Sequence, residues 1–304
     1  MQYRKTILLS VALLLGGVAF GQDEASDVSE VDDVEELKIV AIEALISAPP
    51  ERALPAITRV LQGNNSDDVK ESALFILSQI ETPEAQALLL DTARQSDGEL
   101  QEEAIQMIGI GGDPQALAGL RNIYASGDSD VRESVLEAYL IADDSKSIYE
   151  LAISADNEED LENAVEMLGA MGAIDDLRDL LDQIGPSEGL IEAYAIAGDV
   201  ESLRTIAADS SNPETQAEAI EALGIVGDTQ ADQVLVQIYK DSPSEDVREA
   251  ALEGMLISGN DEAVLQLYRD STSNAEKREL LELLSIMGSE EVWDLIDEAL
   301  ENRR

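Results

Sequence analysis

The sequence contains no cysteine and no histidine. Without cysteine, no disulfide can hold the fold together and no thiolate can act as a nucleophile. Without histidine, the chain lacks the commonest general base and the commonest metal ligand in proteins. Aromatic residues make up only 3% of the chain, so alanine and leucine must fill most of the core. We therefore expect a protein that is not an enzyme and that has no catalytic, cofactor-binding or metal site.

Basic residues are also few, with 19 Lys and Arg against 65 Asp and Glu, for a formal net charge of -46. A surface this acidic repels nucleic acid and anionic membranes. A disordered acidic chain could have the same charge, but regularly spaced apolar residues continue through nearly the whole sequence, which indicates a folded protein. We expect its partner to be a protein or peptide, with a basic one the best match to the charge.

The first residues have the pattern of a secretory signal. Arg4 and Lys5 precede an apolar run over residues 7–20, and Ala19-Phe20-Gly21 has small residues at the two recognition positions. A run of about 14 apolar residues is short for a bilayer, which needs about 20. We predict a cleaved signal peptide over residues 1–21, with an uncleaved membrane anchor as the alternative.

The predicted domain organisation follows from this cleavage. Residues 22–33 form an acidic, disordered leader, and residues 34–304 form the folded domain. No second apolar run is long enough to span a membrane, so we expect no integral span after cleavage. The predicted location is the periplasm or the extracellular space.

One five-residue motif, here called the cassette, recurs nine times with a period of about 30 residues. It consists of two apolar residues, one variable residue that is most often glutamate, and two more small or apolar residues. Its copies begin at Ala41, Ala73, Ala104, Val135, Ala164, Leu190, Ala219, Ala251 and Leu280. Such a repeat is typical of a solenoid, in which each unit buries its apolar face against its neighbours.

Each repeat resolves into two helices. Before three cassettes, an aspartate (Asp68, Asp130 or Asp246) stands directly before a valine and a basic residue, and we expect this aspartate to cap the cassette helix. In most copies a glycine follows seven residues after the second apolar residue, where it can end the helix in a left-handed conformation. These glycines are Gly112, Gly172, Gly198, Gly227, Gly259 and Gly288. A shorter amphipathic helix then leads to the next repeat.

The Asp-Val-Arg sequence, the alanine-rich helix and the glycine resemble the HEAT-repeat superfamily, especially its short variety of about 30 residues known from phycobilin lyases. The resemblance implies an all-α, right-handed α-solenoid of about nine two-helix repeats, with the cassette helices on the concave, partner-binding side. Leu161, Ser187 and Gln216 replace the basic residue in units five to seven, which puts the side-chain links between those units in doubt. A shorter repeat around Gly185-Pro186 predicts a change of curvature. Tetratricopeptide repeats are the alternative, but their landmark residues are missing.

The variable positions of successive cassettes should form a line across the concave side. We call this line the slot row: Glu43, Phe75, Gln106, Glu137, Glu166, Glu192, Glu221, Glu253 and Glu282. Residues four positions earlier lie on the same helix face and form the upstream row: Ile39, Glu71, Glu102, Glu133, Glu162, Glu188, Ala217, Glu249 and Arg278. The predicted partner-binding residues are Glu71, Phe75, Glu102, Gln106, Glu133, Glu137, Glu162, Glu166, Glu188, Glu192, Glu221, Glu249, Glu253 and Glu282.

Two interpretations of these rows remain open at this point. They form a binding groove, or they belong to a general acidic coat that keeps the protein soluble in salt. Phe75 either anchors a partner or packs inward, and Trp293 is expected in the core or at the end cap. The predicted function is a non-enzymatic, exported interaction scaffold. The alternatives are a phycobilin-lyase-like, chromophore-handling protein and a structural envelope protein with a halophilic acidic coat.

Overall fold

The computed structural model describes residues 30–209, 211–288 and 290–301. The predicted signal peptide and residues 22–29 of the predicted leader lie outside the described residues. Within them the chain forms eighteen α-helices and no strand. The first helix begins at Glu30, so residues 30–33 of the predicted leader are helical.

The helices form nine pairs, in which a cassette helix is followed by a second helix. The pairs are α1 (Glu30–Glu43) and α2 (Pro50–Leu61), α3 (Asp67–Ser78) and α4 (Pro83–Gln95), α5 (Glu99–Gly111) and α6 (Pro114–Ser126), α7 (Ser129–Ala142) and α8 (Ser145–Ile153), α9 (Glu158–Met171) and α10 (Ile174–Ile184), α11 (Glu188–Ala197) and α12 (Val200–Ala207), α13 (Pro213–Val226) and α14 (Thr229–Asp241), α15 (Glu245–Ser258) and α16 (Asp261–Asp270), and α17 (Asn274–Met287) and α18 (Val292–Glu301). A short 3-10 helix, Ala44–Ser47, follows α1.

The helix starts correct one sequence prediction. Asp130 does not cap α7; the capping residue is Asp128, whose carboxylate accepts a hydrogen bond from the backbone N–H of Val131. Helix α15 is likewise capped by Ser244 rather than by Asp246, and the N-cap residue of α3 is Ser66 rather than Asp68. The aspartates of the Asp-Val-Arg sequences lie in the first turn instead, where their negative charge interacts favourably with the helix dipole.

The helix ends agree with the predicted glycine positions. The six predicted glycines have φ values between 56° and 75°, in the left-handed region that glycine adopts without strain. The fourth unit has Asp143 at the equivalent position, with φ 62°. Aspartate tolerates this conformation better than most other side chains, so the repeat keeps its geometry without glycine there.

The core is built from the cassettes of units two to nine, as their pattern predicts, whereas in unit one only Ile42 of the four apolar or small cassette positions is buried. In α13, Ala219, Ile220, Ala222 and Leu223 are buried, while Glu221 between them is exposed. Most neighbouring cassette helices pack closely against each other, although α7 and α9, and especially α15 and α17, contact each other less, and most neighbouring second helices have few contacts. The stack is therefore tighter on the side of the cassette helices, as the concave side of a curved solenoid requires.

In several units, a side chain at the start of a cassette helix donates a hydrogen bond to a backbone carbonyl at the end of the preceding second helix. The guanidinium of Arg132 donates to the carbonyl of Tyr124 at the end of α6, and Arg248 donates to the carbonyl of Ser242. Gln216, which replaces the basic residue in unit seven, donates in the same way to the carbonyl of Ala207 at 2.7 Å. Glutamine therefore keeps this capping contact but lacks the charge for a link between units.

Units five and six are joined by another route. Arg178 on α10 makes a bidentate ion pair with Asp199, the buried N-cap residue of α12, at 2.7 and 2.9 Å. Asp199 also accepts hydrogen bonds from the backbone N–H and the hydroxyl of Ser202. This interaction replaces the Arg132–Asp160 link, at 2.7 Å, that joins units four and five.

Trp293 was predicted in the core or at the end cap, and the structure places it on the last described helix, at the end of the stack. It lies on α18 with 69% of its surface exposed, so it is not a core residue. Val292 and Leu295 fill the apolar face of this last helix instead, and no further unit covers the tryptophan among the described residues. Phe75 is partly buried and packs against the core, which matches the packing alternative rather than an exposed anchor.

Candidate functional site: the acidic rows of the cassette helices

The structure brings most predicted partner-binding residues to the surface of the cassette side. The exposed ones are Glu133, Glu137, Glu162, Glu166, Glu188, Glu192, Glu221, Glu249, Glu253 and Glu282. The partly buried ones are Glu71, Phe75, Glu102 and Gln106, all in units two and three. The exposed glutamates thus run without interruption through units four to nine of the slot row.

Glycines bring some of these rows close together. A side-chain carbon added at Gly109 would lie 2.7 Å from the backbone of Ala138, and one at Gly169 would lie 2.9 Å from the Cα of Ala193. Real side chains do not approach this closely, so the missing Cβ atoms allow the backbones of these neighbouring cassette helices to come into direct contact. The carboxylates of neighbouring units are therefore also held close.

The pKa of Glu137 is raised by this arrangement. Its carboxylate reaches solvent, but surrounding protein removes part of its hydration, and this desolvation is the largest cause. Repulsion from Glu133, one turn earlier on α7, and from Glu102 on α5 raises the pKa further. Charges on two adjacent cassette helices thus act on one carboxylate.

Three more glutamates in this region have raised pKa values, in each case from desolvation first and from other carboxylates second. Glu71 is affected by acidic residues of its own helix and by Glu99 of the next unit, and Glu103 by Glu71. Glu218, on α13, is affected most by Glu188 of unit six. One oxygen of Glu218 is buried and lacks a hydrogen bond. Burial is thus the main cause of these raised pKa values, and repulsion between carboxylates of neighbouring units adds to it.

Units two to four enclose a small cleft in the acidic surface. Its volume is about 320 Å³, and its carboxylates come from Glu71, Glu99, Glu102, Glu103 and Glu137. Within the described part of the chain, no group of three or more acidic residues is arranged to hold a metal ion. A larger cavity of about 860 Å³ lies between α12 and α15, with apolar side chains and glutamines in its walls, and it contains none of the predicted glutamates.

Cations do not neutralise these rows. The described residues form seven ion pairs, and none includes a glutamate of the slot row or the upstream row. Five of the pairs involve second helices, for example Arg121 with Glu150 and Lys240 with Asp270. The other two lie at the starts of cassette helices.

Charge is segregated between the two kinds of helix. The eight cassette helices α3 to α17 contain 26 acidic and 5 basic residues, a net charge of -21. The eight second helices α2 to α16 contain 14 acidic and 9 basic residues, a net charge of -5. Every one of these second helices has a lysine or arginine, whereas α5, α9, α11 and α13 have none. The acidity is therefore concentrated on one side of the solenoid.

The structure also reveals an apolar row that the sequence interpretation missed. Four residues after each slot position in units three to nine, the same helix face has an isoleucine or, once, an alanine. We call this line the isoleucine row: Ile110, Ile141, Ala170, Ile196, Ile225, Ile257 and Ile286. Extending the comparison of the nine cassettes by four residues would have found it.

The chain is similar to known repeat proteins. A family model described as HEAT repeats matches residues 61–140 and 146–255. Among solved structures, the phycocyanin lyase complex CpcE–CpcF from Nostoc is 16% identical, with coverage of 88% of this chain and 99% of that chain and a TM-score of 0.33. The Escherichia coli protein YibA is 14% identical, with coverage of 88% and 99% and a TM-score of 0.37.

Human deoxyhypusine hydroxylase is a third similar structure, at 18% identity, with coverage of 76% of this chain and 99% of that chain and a TM-score of 0.31. No curated protein sequence matches the chain. In the described residues, no helix is long and apolar enough to cross a membrane.

Proposed function

Because the chain belongs to the HEAT-repeat family, whose repeats generally mediate protein interactions, we propose that it is an exported, non-enzymatic scaffold that binds a basic protein or peptide along its acidic rows. The observation that carries this proposal is the charge segregation, -21 on eight cassette helices against -5 on eight second helices. A coat that served only solubility would have no reason to favour one side.

The acidic rows are costly to the isolated protein. Two like charges about 10 Å apart in water repel by about 0.4 kcal/mol before screening. Over the slot row from Glu137 to Glu282, the sum is about 2 kcal/mol, against a stability of roughly 5 to 15 kcal/mol for a typical domain. A basic partner would offset this repulsion on binding, and it would also be steered toward the surface by the charge.

The non-enzymatic part of the proposal rests on composition. The chain has neither histidine nor cysteine, so the commonest general base and the thiolate nucleophile are both absent, and the described residues contain no group arranged to bind a metal ion. The glutamates with raised pKa values lie among other carboxylates, and Glu71, Glu103 and Glu137 share the small cleft of units two to four. This arrangement suits the attraction of cations better than catalysis.

The binding test is a pull-down from cell-envelope extract with the immobilised protein at low and high salt. A slot-row variant changes Glu137, Glu166, Glu192, Glu221 and Glu253 to glutamine. A matched control removes five exposed acidic charges from second helices, by Asp179→Asn, Asp182→Asn, Glu262→Gln, Asp294→Asn and Asp297→Asn. Both variants change the net charge equally, so they differ only in the position of the removed charges.

We expect wild type and control to retain the same basic protein at low salt, and the slot-row variant to lose it. If wild type and the slot-row variant retain the same proteins, the result would contradict the proposal and support the alternative of a general acidic coat.

The export part is tested separately by cell fractionation and intact mass. The proposal requires a periplasmic or secreted chain that begins near Gln22. A cytoplasmic chain that begins at Met1 would contradict it.

A further inference from the structure

Four isoleucines of the isoleucine row stand out by their exposure. Ile196, Ile225, Ile257 and Ile286, in the consecutive units six to nine, are exposed by 59%, 63%, 48% and 70%. Single exposed apolar residues are common, but an aligned set on successive repeats forms a continuous apolar strip, which typically marks an interaction surface. Their neighbours in the cassettes, such as Ile220 and Leu252, are buried.

The strip runs beside the acidic rows. Each of the four isoleucines follows a slot-row glutamate by four residues, as Ile225 follows Glu221. Four residues of α-helix rise about 6 Å, so the isoleucine row and the slot row are parallel lines about 6 Å apart on one face. Both lines advance by about 8 to 10 Å from one cassette helix to the next.

The charge decides among the possible occupants of this strip. A second copy of the chain would bring another net charge of -46 against the acidic rows, and an anionic membrane would be repelled in the same way. The chain's own acidic segment from Asp23 to Glu36 has the same sign. A segment that combines apolar side chains with basic ones satisfies both rows at once.

The spacing selects the conformation of that segment. In an α-helix, residues seven positions apart lie on one face about 10.5 Å apart, close to the step between cassette helices. In a β-strand, successive side chains point to opposite faces, so a strand cannot place an apolar stripe and a basic stripe side by side against the two rows. We infer that units six to nine bind an amphipathic basic helix, with its apolar stripe on the isoleucine row and its basic stripe on the adjacent glutamates. This inference rests on the proposed function and names the kind of partner.

The last unit limits the basic stripe. The upstream row has Arg278 there, on α17, in place of the glutamate of earlier units such as Glu249. A basic residue of the partner opposite Arg278 would be repelled, so in unit nine the basic stripe is confined to Glu282 of the slot row, next to Ile286. This difference gives the bound helix a preferred direction.

The test uses three labelled synthetic peptides of equal length and measures binding to the full protein by fluorescence anisotropy. The first has three heptads of Leu-Lys-Lys-Leu-Leu-Lys-Lys, which place leucine on one helix face. The second has the same composition in an order that spreads leucine around the helix. The third has serine in place of leucine and keeps every lysine.

Two protein variants separate the rows. The isoleucine-row variant has Ile196→Ser, Ile225→Ser, Ile257→Ser and Ile286→Ser. The control has Ile153→Ser and Ile184→Ser, at two isoleucines that are each 47% exposed at the ends of second helices. Circular dichroism and size-exclusion chromatography establish folding and oligomeric state for every variant.

We expect the first peptide to bind wild type at least tenfold more tightly than the other two peptides do. Its affinity should fall at least tenfold with the isoleucine-row variant and stay unchanged with the control variant. Equal affinities for the first and second peptides, or no loss with that variant, would overturn the inference while leaving the acidic surface intact. Self-association of the protein that the isoleucine-row variant abolishes would also overturn it. If no peptide distinguishes wild type from the slot-row glutamine variant, the proposed function itself fails.

Discussion

Gly224 on α13 and Gly254 on α15 lie in direct backbone contact. A side-chain carbon added at Gly224 would be 2.6 Å from the carbonyl oxygen of Gly254 and 2.8 Å from its Cα. Both neighbours belong to the backbone, so no side-chain movement could relieve the clash. This contact fixes the spacing of units seven and eight, and with it the distance between Glu221 and Glu253 in the slot row.

Gly224→Ala should therefore destabilise the protein. The added methyl group must push two cassette helices apart, and overpacking of this kind costs about 1 to 3 kcal/mol. Urea denaturation followed by circular dichroism measures the change in the free energy of unfolding.

Gly189→Ala is the matched control, because the nearest atom to its added carbon is Cγ of Glu162 at 3.9 Å. This helical position is open, so alanine should stabilise the protein by about 0.5 kcal/mol. Equal effects of the two substitutions would show that the contact between Gly224 and Gly254 does not set the helix spacing.

Mild acid should stabilise the protein at low salt. The pKa values of Glu71, Glu103, Glu137 and Glu218 are raised above the ordinary 4.5 by desolvation and then by neighbouring charges. Their contribution is present below pH 4.5 and is lost as pH rises through the raised values. Melting temperatures should therefore increase from pH 7 toward pH 5.

Salt and amide substitution provide the controls for this pH effect. Because high salt screens exposed charges, sodium chloride should raise the melting temperature at pH 7 and reduce the difference from pH 5. The double substitution Glu137→Gln and Glu218→Gln should also raise the melting temperature at pH 7 and reduce the difference from pH 5, without added salt. A melting temperature that does not change with salt concentration would contradict the proposed repulsion between the carboxylates of the acidic rows.

Alkali should unfold the protein through two buried tyrosines. The hydroxyl of Tyr139 donates to the carbonyl of Leu117, that of Tyr194 donates to the carbonyl of Leu177, and burial, the largest cause, raises both pKa values from 10.0 to about 12. The unfolded chain releases these protons near pH 10, so stability that is complete below pH 10 is lost as pH rises through 12.

Tyrosinate absorbance and melting temperature across this pH range measure the effect. Tyr139→Phe with Tyr194→Phe should make the loss of stability above pH 10 less steep. Ordinary titration of every tyrosine near pH 10 in the folded protein would disprove the burial of these hydroxyls.

Asp199→Ala should destabilise the junction of units five and six by about 2 to 3 kcal/mol. The substitution removes the helix cap of α12 and leaves Arg178 without its bidentate partner. Glu201→Ala removes the nearby, exposed pair with Arg204 and should leave the melting temperature unchanged, since such pairs contribute little. Thermal melts of both variants measure the difference, and an equal effect would argue against a structural role of Asp199.

The sequence predicted the repeat, the buried cassette positions and the glycine helix ends, because a period of about 30 residues repeats the same local constraints nine times. It misplaced the caps of α3, α7 and α15, since several capping residues, such as Asp128 and Asp130, stand close together and each is chemically suitable. The core alternative for Trp293 was wrong for a different reason: the last unit has no successor among the described residues to cover it.

The contacts between units could not be predicted from the sequence. Whether Arg178 meets Asp199, or Gly224 meets Gly254, depends on the rotation and spacing of whole helices, which no local pattern fixes. The isoleucine row could have been predicted from the sequence, because its residues follow the slot row at a constant interval of four. Its exposure, however, is a property of the assembled stack.

Site-specific photo-crosslinking in living cells tests the central claim most directly, because it captures whichever protein lies against the chosen position. A photoreactive phenylalanine replaces Glu192 of the slot row in one variant and Asp182 on α10, exposed on a second helix, in the other. The proposed binding surface predicts a specific adduct with one basic protein from position 192 and none from position 182. Adducts from position 182 alone, or the same adducts from both positions, would contradict it.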